Sequence, residues 1–413
     1  MSEKNRAVVR VQFGDGSHLE QFTSFRLHDS FTDPLGAYSF ETRPLPKSRK
    51  DYRTKLQRGN LVTVKINGIT QGTYLITTSK RKYGRDGAIY SVECKSVLAT
   101  PYEGSADPFG DRLSLDADTD TPISSLILKA LAPYGFKTIR GDGNVNRSAI
   151  SGKDITGALP AILLTVLKAK KLKAEDGENA YGFCSRIFSR LGVCLRVNAQ
   201  GELILEAPDY VQHPTNTIVS AHATGIRGDY LLDGWEYVET NDGQFSECVV
   251  KGNATNPDDT STVLPYARVI TSTAAGYADT QAYADKTSTG KIKAVPYGAS
   301  RANYSSTAAA YKPLIIHDKN SRDAARAKSV AMLSLGIRAR NAVTVTGTVD
   351  GMISSTGRIW GINTVARLVL EDEEIDEPWW ISERTFDLSR DGGQTTSLTL
   401  LPLGALVLGE VPT

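Results

Sequence analysis

Runs of alternating apolar and polar positions between residues 341 and 402 have the period-two spacing of strands with one buried face. Ala342-Val-Thr-Val-Thr346 is rich in β-branched residues, and Gly347 ends it. Trp379-Trp-Ile-Ser-Glu-Arg-Thr-Phe386, Arg390-Asp-Gly-Gly393 and Thr395-Thr-Ser-Leu-Thr-Leu400 predict strand, tight turn and strand, because Asp-Gly between alternating runs favours a hairpin. The same arrangement stands near the N-terminus, where Thr73-Tyr-Leu-Ile-Thr77 leads through Tyr83-Gly-Arg-Asp-Gly87 into Ala88-Ile-Tyr-Ser-Val-Glu-Cys94. Setting Asp86 against Asp391 brings Tyr74-Leu-Ile-Thr77 onto Trp379-Trp-Ile-Ser382 and Arg85 onto Arg390. After one extra glycine, Val92 and Cys94 fall on Leu398 and Leu400. We read this as an internal duplication.

Residues 6–100 read almost entirely as strands. Ala7 to Phe13, Phe22 to Leu27, Ala37 to Glu41, Leu61 to Ile66, Thr73 to Thr77 and Ala88 to Cys94 are separated by Gly, Asn and Asp-Pro turns. That pattern predicts a small closed or half-closed antiparallel barrel. The period then lengthens. Thr121-Pro122 opens a helix that Pro133-Tyr-Gly135 stops, Ala161 to Lys173 is a second helix, and Asn179 to Leu191 a third. The last leads into strands at Val193 to Val197 and Glu202 to Glu206. Strands return at Trp235 to Glu239 and Cys248 to Lys251. Residues from Asn253 to about Asp318 are polar, with little period, and read as long loops with a short helix near Thr280 to Asp285. Ser321 to Leu335 is a further helix. The expected fold is mainly β with an α+β middle: two similar antiparallel β-barrel domains flank a mixed domain. The boundaries are 1–100, 101–228 and 229–413, the last with a polar insertion at about 253–318.

Composition narrows the function classes. Charged residues make up 23% of the chain and the net charge is +2, so nothing pulls the whole chain toward nucleic acid or anionic membrane. The longest apolar run, Ala158 to Leu167, falls short of the ~20 residues of a membrane span. No secretory signal follows Met1, and four isolated cysteines (Cys94, Cys184, Cys194, Cys248) read as reduced thiols, which points to folding in a cytoplasm.

Candidate chemistry mostly dissolves under inspection. The five histidines lack metal-ligand spacing and no cysteine pair accompanies them, so no metal site and no cofactor is expected. Asp116-Ala-Asp-Thr-Asp120 opens like a calcium loop, but Thr121 stands where glycine is needed and Ile127 where a bidentate glutamate is needed. Glu371-Asp-Glu-Glu-Ile-Asp-Glu377 offers carboxylates for glycoside cleavage, yet six acids in seven residues read as a solvated loop rather than a pair with divided pKa values. The lysines at 168, 170, 171 and 173 lack interleaved aromatics for base stacking. Trp379-Trp380 remains. Neighbours on a strand face opposite ways, so one indole is expected in the core and the other outward, either shielded by a loop or anchoring a subunit interface.

Several stretches resemble the baseplate hub proteins of contractile-tailed, Mu-like phages, whose fold is similar to the hub portion of type VI secretion spikes. Gly72-Thr-Tyr-Leu-Ile76 with its hairpin resembles the first barrel. Gly177-Glu-Asn-Ala-Tyr-Gly-Phe-Cys-Ser-Arg-Ile187, Leu191-Gly-Val193 and Gly201-Glu-Leu-Ile-Leu205 resemble the middle helix and hairpin. Phe245 to Gly252 resembles the strand opening the second barrel. Arg322 to Leu335, Val343 to Gly347, Gly357 to Asn363 and Leu398 to Pro402 resemble the C-terminal section. Segments 159–174 and 253–318 depart from the family pattern.

The resemblance implies a homotrimer and no enzymatic activity. Three chains with two like barrels each present six like surfaces, which fits a trimer that joins a hexameric tail tube, or a tube-initiating protein, to a trimeric spike. Other baseplate proteins would be neighbours, and DNA would pass through a central channel without stable binding. The expected place is the virion's tail baseplate, after assembly in the host cytoplasm. Because the chain ends soon after the second barrel, the spike is expected to be a separate polypeptide. The alternatives are a tail-associated cell-wall or polysaccharide hydrolase, a type VI spike hub and a carbohydrate-binding adhesin.

Overall fold

The structure is a computed structural model that describes residues 7–85, 87–104, 123–140, 177–189, 194–210, 212–220, 225–240, 247–252, 266–271, 280–283, 313–318, 330–331, 334, 343–390 and 392–403. The expected helix at 161–173 and the paired turn residues Asp86 and Asp391 lie outside these.

The N-terminal region forms β1 (Val9–Phe13), β2 (His18–Leu19), β3 (Ser24–Ser30), β4 (Ala37–Thr42), β5 (Leu61–Ile66), β6 (Ile69–Gly84) and β7 (Gly87–Ser96). A helix that the sequence pattern did not announce, α1 (Arg49–Lys55), is inserted between β4 and β5. Alternation is clean in these strands: in β7 every second residue is buried from Ala88 to Cys94. The middle region contributes α2 (Ala99–Glu103), α3 (Ile123–Leu131) and α4 (Ala180–Ser189) beside a three-stranded sheet of β8 (Ile139–Arg140), β9 (Cys194–Val197) and β10 (Leu203–Glu206). Gly135, at φ 91°, turns the chain out of α3 through a short 3-10 segment, as the Pro-Tyr-Gly stop predicted.

Next come β11 (Asn216–Val219), β12 (Asp229–Glu239) and β13 (Glu247–Gly252), then β14 (Tyr266–Thr271), β15 (Thr280–Tyr283) and β16 (Pro313–Asp318). Here three expectations fail. Residues 253–318 carry strands, not loops alone; Thr280–Tyr283 is strand rather than helix; and β13 joins β14, β15 and β16 in a separate four-stranded sheet instead of opening the second barrel. Short strands of four to six residues, joined here through β13, lack the sustained apolar alternation by which strands are read from sequence. The chain returns to the main sheet with β17 (Val343–Asp350), β18 (Thr364–Leu370), β19 (Ile375–Ser389) and β20 (Gly393–Pro402).

The main sheet has thirteen strands in the order β18-β11-β12-β17-β20-β19-β3-β4-β7-β6-β5-β1-β2, and β18 also pairs with β19. That last pairing closes β11, β12, β17, β20, β19 and β18 into a six-stranded barrel. The N-terminal strands have the same arrangement. Reading β3-β4-β7-β6-β5-β1 against β12-β17-β20-β19-β18-β11 matches both the neighbour order and the chain order, strand for strand. One continuous apolar core, from Val9 and Phe40 to Trp360 and Leu400, serves both units.

The duplication extends to a defect in the ladder. β6 and β7 shift register between Ile76 and Thr78, and β19 and β20 shift between Ile381 and Glu383. Thr77 and Ser382 are therefore bulge residues, and they are the residues the alignment had set against each other. Each hydroxyl donates to the carbonyl of a residue on the partner strand, Thr77 Oγ1 to Glu93 and Ser382 Oγ to Thr399, both at 3.1 Å.

Candidate assembly interface

β19 is long enough to serve two neighbours. Its first half pairs with β18, with Trp379 opposite Ala366 and Trp380 opposite Val365. Its second half, Glu383 to Ser389, lies antiparallel to β3 of the N-terminal unit. This seam joins the two units edge to edge. At its centre the Arg384 guanidinium grips one oxygen of Asp29 through Nη2 at 2.7 Å and Nε at 3.1 Å, and also donates to the Trp360 carbonyl. The other Asp29 oxygen accepts the Tyr74 hydroxyl at 3.3 Å. Arg384 lies over the Phe386 ring at 4.7 Å. A nearly buried charge pair, here bonded also to the Tyr74 hydroxyl and the Trp360 carbonyl, is costly to break by removing one partner even where the intact pair adds little net stability. Further out, Arg26 faces Asp387 at 3.7 Å and His28 Nδ1 meets Thr385 Oγ1 at 2.9 Å.

The tryptophans follow the predicted alternation, but neither faces out. Trp379 enters the shared core, and Trp380 packs on the opposite face with Phe31, Tyr210, Val365 and Leu401. Both are buried, at 2% and 0% exposure, so the expected surface anchor is corrected to the shielded alternative. The cover is the segment after β10, and Asn363 holds it. Asn363 sits at φ 57°, a conformation asparagine tolerates. Its Oδ1 accepts the Trp380 indole N–H at 3.0 Å and the Asp209 N–H at 2.8 Å. Its Nδ2 donates to Glu206 Oε1 at 2.9 Å and the Ala207 carbonyl at 3.0 Å. All four hydrogen-bonding valences of the amide are used.

The β9–β10 hairpin touches both units. Arg196 bonds Glu206 Oε2 at 3.2 Å, donates to the Ser30 carbonyl at 3.0 Å and covers the Phe31 ring. At the hairpin's tip, Thr73 Oγ1 donates to the Ala199 carbonyl at 3.2 Å. No sequence signal marked Arg196, Asn363, Asp29 or Arg384, because each acts on a partner more than a hundred residues away.

Shifts among the described titratable groups go both ways: burial raises the Asp229 carboxyl against its bonds from Ser355, while the acidic run behaves differently. Glu371 to Glu374 are exposed on a 3-10 turn, and Asp376 is held below the usual carboxylate range by its bidentate bonds to Arg367. A general acid needs the opposite shift. Burial pushes the thiols of Cys94 and Cys184 and the phenols of Tyr74 and Tyr38 upward, which keeps them neutral. Among the described residues no three His, Cys, Asp or Glu side chains gather as a metal site, and no helix is long and apolar enough to cross a membrane. An open hollow of about 810 Å³ lies over β12, β17, β20 and β19, where Thr346, Thr348, Ser397 and Thr399 face Glu236 and Asp387. Glu383 and Arg384 line it as well.

Residues 338–402 match the family described as tail protein, C-terminal domain. The fold of the whole chain is similar to that of the tail protein from Neisseria meningitidis MC58, with a TM-score of 0.68 at 16% identity over 98% of this chain and 99% of that one. The 43 kDa tail protein of prophage MuSo2 from Shewanella oneidensis gives 0.65 at 15% identity, covering 96% and 99%. The prophage tail protein gp18 from Listeria monocytogenes EGD-e gives 0.51 at 11%, covering 95% and 94%. No curated protein sequence matches the chain. The chain has the fold of a phage tail protein, and it carries a tail-protein C-terminal domain.

Proposed function

We propose that this protein is the baseplate hub of a contractile tail, a non-catalytic homotrimer that adapts a hexameric tail tube to a trimeric spike. The observation that carries the reading is the repeat: two six-strand units with one strand order, one chain order and one bulge position. Three such chains supply six like units on one face while the middle regions keep threefold symmetry. Tube, spike and other baseplate proteins are then its partners in the virion, and the ring leaves a channel for DNA. A net charge of +2 suits passage of DNA better than retention. Domain limits near residue 100 and before Asn216, rather than at the expected 228, go with this reading, because β11 belongs to the second unit.

Light scattering on the purified chain is expected to give three times 44.7 kDa, and electron microscopy a threefold ring with a pseudo-sixfold face. A monomer at every concentration would sink the reading. Clearing of a cell-wall suspension, lost on substitution within Glu371 to Glu377, would favour the hydrolase instead.

A further inference from the structure

Each unit owns the same two sheet edges, and within one chain only one of each is used. β3 of the first unit lies along Glu383 to Ser389 of the second. By the repeat, β12 corresponds to β3, and Thr78 to Gly84 of β6 correspond to that half of β19. Among the described strands both counterparts lack a partner along the corresponding edge. β5 ends its pairing with β6 at Leu75, β7 holds one edge of Thr78 to Gly84, and no described strand lies along the other. β12 pairs with β17 along its length but with β11 only at Asp229 and Tyr230, which leaves one edge of Trp235 to Glu239 open among the described strands. Open edges are templates for strand addition.

The repeat also gives the register. Phe25↔Phe40 and Leu27↔Tyr38 in the first unit correspond to Trp235↔Gly347 and Tyr237↔Val345 in the second. β19 maps onto β6 through Trp379 and Tyr74, and the shared bulge fixes that alignment. Carried over in this register, the seam pair Arg26 opposite Asp387 becomes Glu236 opposite Lys82. The charges have exchanged strands, so the pair stays complementary with its sign reversed. Lys80 then faces Val238, and Arg81 faces Tyr237; Lys82, Glu236 and Val238 are all exposed in the single chain.

We propose that β12 of one copy adds antiparallel to β6 of the next, with Glu236 opposite Lys82, repeating between copies the joint that β3 and β19 make within one. The contact is heterologous, so copies join head to tail and the ring closes when the joints complete a turn. The exchanged signs also discourage wrong pairings. β12 against β19 would set Glu236 on Asp387, and β3 against β6 would set Arg26 on Lys82. The number of copies, three, rests on the hub reading; the edges and the register do not.

Cysteine crosslinking tests the pairing in the full chain. Directly opposed residues on antiparallel strands lie within disulfide reach, at Cβ separations of ~4.5–5.5 Å. The Lys82→Cys, Glu236→Cys double variant, oxidised with copper–phenanthroline, is expected to give a ladder ending at a covalent trimer on a non-reducing gel. Each single variant alone should give no crosslink, and a mixture of the two singles should give dimers. Lys82→Glu is expected to lose the trimer at micromolar concentration, and adding Glu236→Lys to restore it. A trimer by light scattering without the double-variant crosslink, or with a crosslink from either single variant, overturns this pairing and leaves the hub reading standing. A chain that is monomeric at every concentration overturns both.

Discussion

The N-terminal and C-terminal six-strand units share strand order and chain order, yet among the described strands only the C-terminal one closes into a ring. In the C-terminal unit β11 runs parallel to both β18 and β12 and completes the barrel. In the N-terminal unit the corresponding β1 runs antiparallel to β5 and turns at Asp15-Gly16 into β2, and no described pairing carries the sheet on to β3. The edge of β3 is given instead to β19. Reversing the direction of one strand thus separates a closed barrel from an open unit that can bond a neighbour. α1 takes part on the open side. It runs from the β1–β2 turn, where Lys55 meets Asp15 at 3.0 Å, to the β6–β7 tip, where the Arg53 carbonyl accepts from Arg81 at 3.1 Å.

The outer faces differ too. Val365 and Trp380 are fully buried beneath the segment after β10, while their counterparts Leu61 and Leu75 are, respectively, half exposed and partly covered. Gly59 and Asn363 occupy corresponding positions with positive φ, but only the asparagine has an amide to spend on a cover. Inside, Phe25 with Phe40 fills the space that Trp235 with Gly347 fills in the other unit. A Cβ added at Gly347 would stand 2.6 Å from Leu231 Cδ2, so Leu231 would have to shift to admit it.

Substitutions can break or sharpen this comparison. The largest effect is expected from Trp380→Ala, at about 3–5 kcal/mol of unfolding free energy in urea titration, against under ~1 kcal/mol for Leu61→Ala. Equal costs would mean that the two outer faces are covered alike. Arg384→Leu leaves Asp29 without its cation at the seam and should cost about 3 kcal/mol. If it were neutral, the seam would be held by backbone pairing alone. Asn363→Gly keeps the backbone conformation and loses four hydrogen bonds, for a loss of about 2 kcal/mol, while Gly59→Asn should stay within ~0.5 kcal/mol. At the bulges, Ser382→Ala should lose about 1 kcal/mol and the more exposed Thr77→Ala less, because water replaces its partner.

The smallest effect is a pH dependence confined to the open unit. Bonds from Ser17 and Lys55 hold the Asp15 carboxyl at about 2, below its ordinary 3.8. A depressed carboxylate stabilises the fold above its unfolded pKa and loses that contribution as pH falls through the folded value. Thermal melts of the parent protein and Asp15→Asn should therefore differ above pH 4 and converge toward pH 2. A gap that persists unchanged at pH 2 would show that the carboxylate does not matter.

Much of the fold was written in local pattern. Period-two alternation located β1, β3, β4, β5, β7 and β20, and the match of Tyr74-Leu-Ile-Thr77 to Trp379-Trp-Ile-Ser382 found the repeat to the residue, while the bulge the two share came only from the structure. The alternation and the match depend on the pleat and on turn chemistry, which act over a few residues. The strands at Tyr266–Thr271, Thr280–Tyr283 and Pro313–Asp318 escaped because they are short, lack period-two alternation and are joined through β13 in a sheet of their own. The tryptophan pair shows the boundary sharply. Sequence alone determined that Trp379 and Trp380 face opposite ways, since that follows from the strand itself. Only the tertiary structure decided that both are buried, because the cover over Trp380 comes from Tyr210 and Asn363, and that Asp29 meets Arg384 across 355 positions of chain. A strand carries its own alternation, but the partner at its edge and the layer over its face come from elsewhere in the fold.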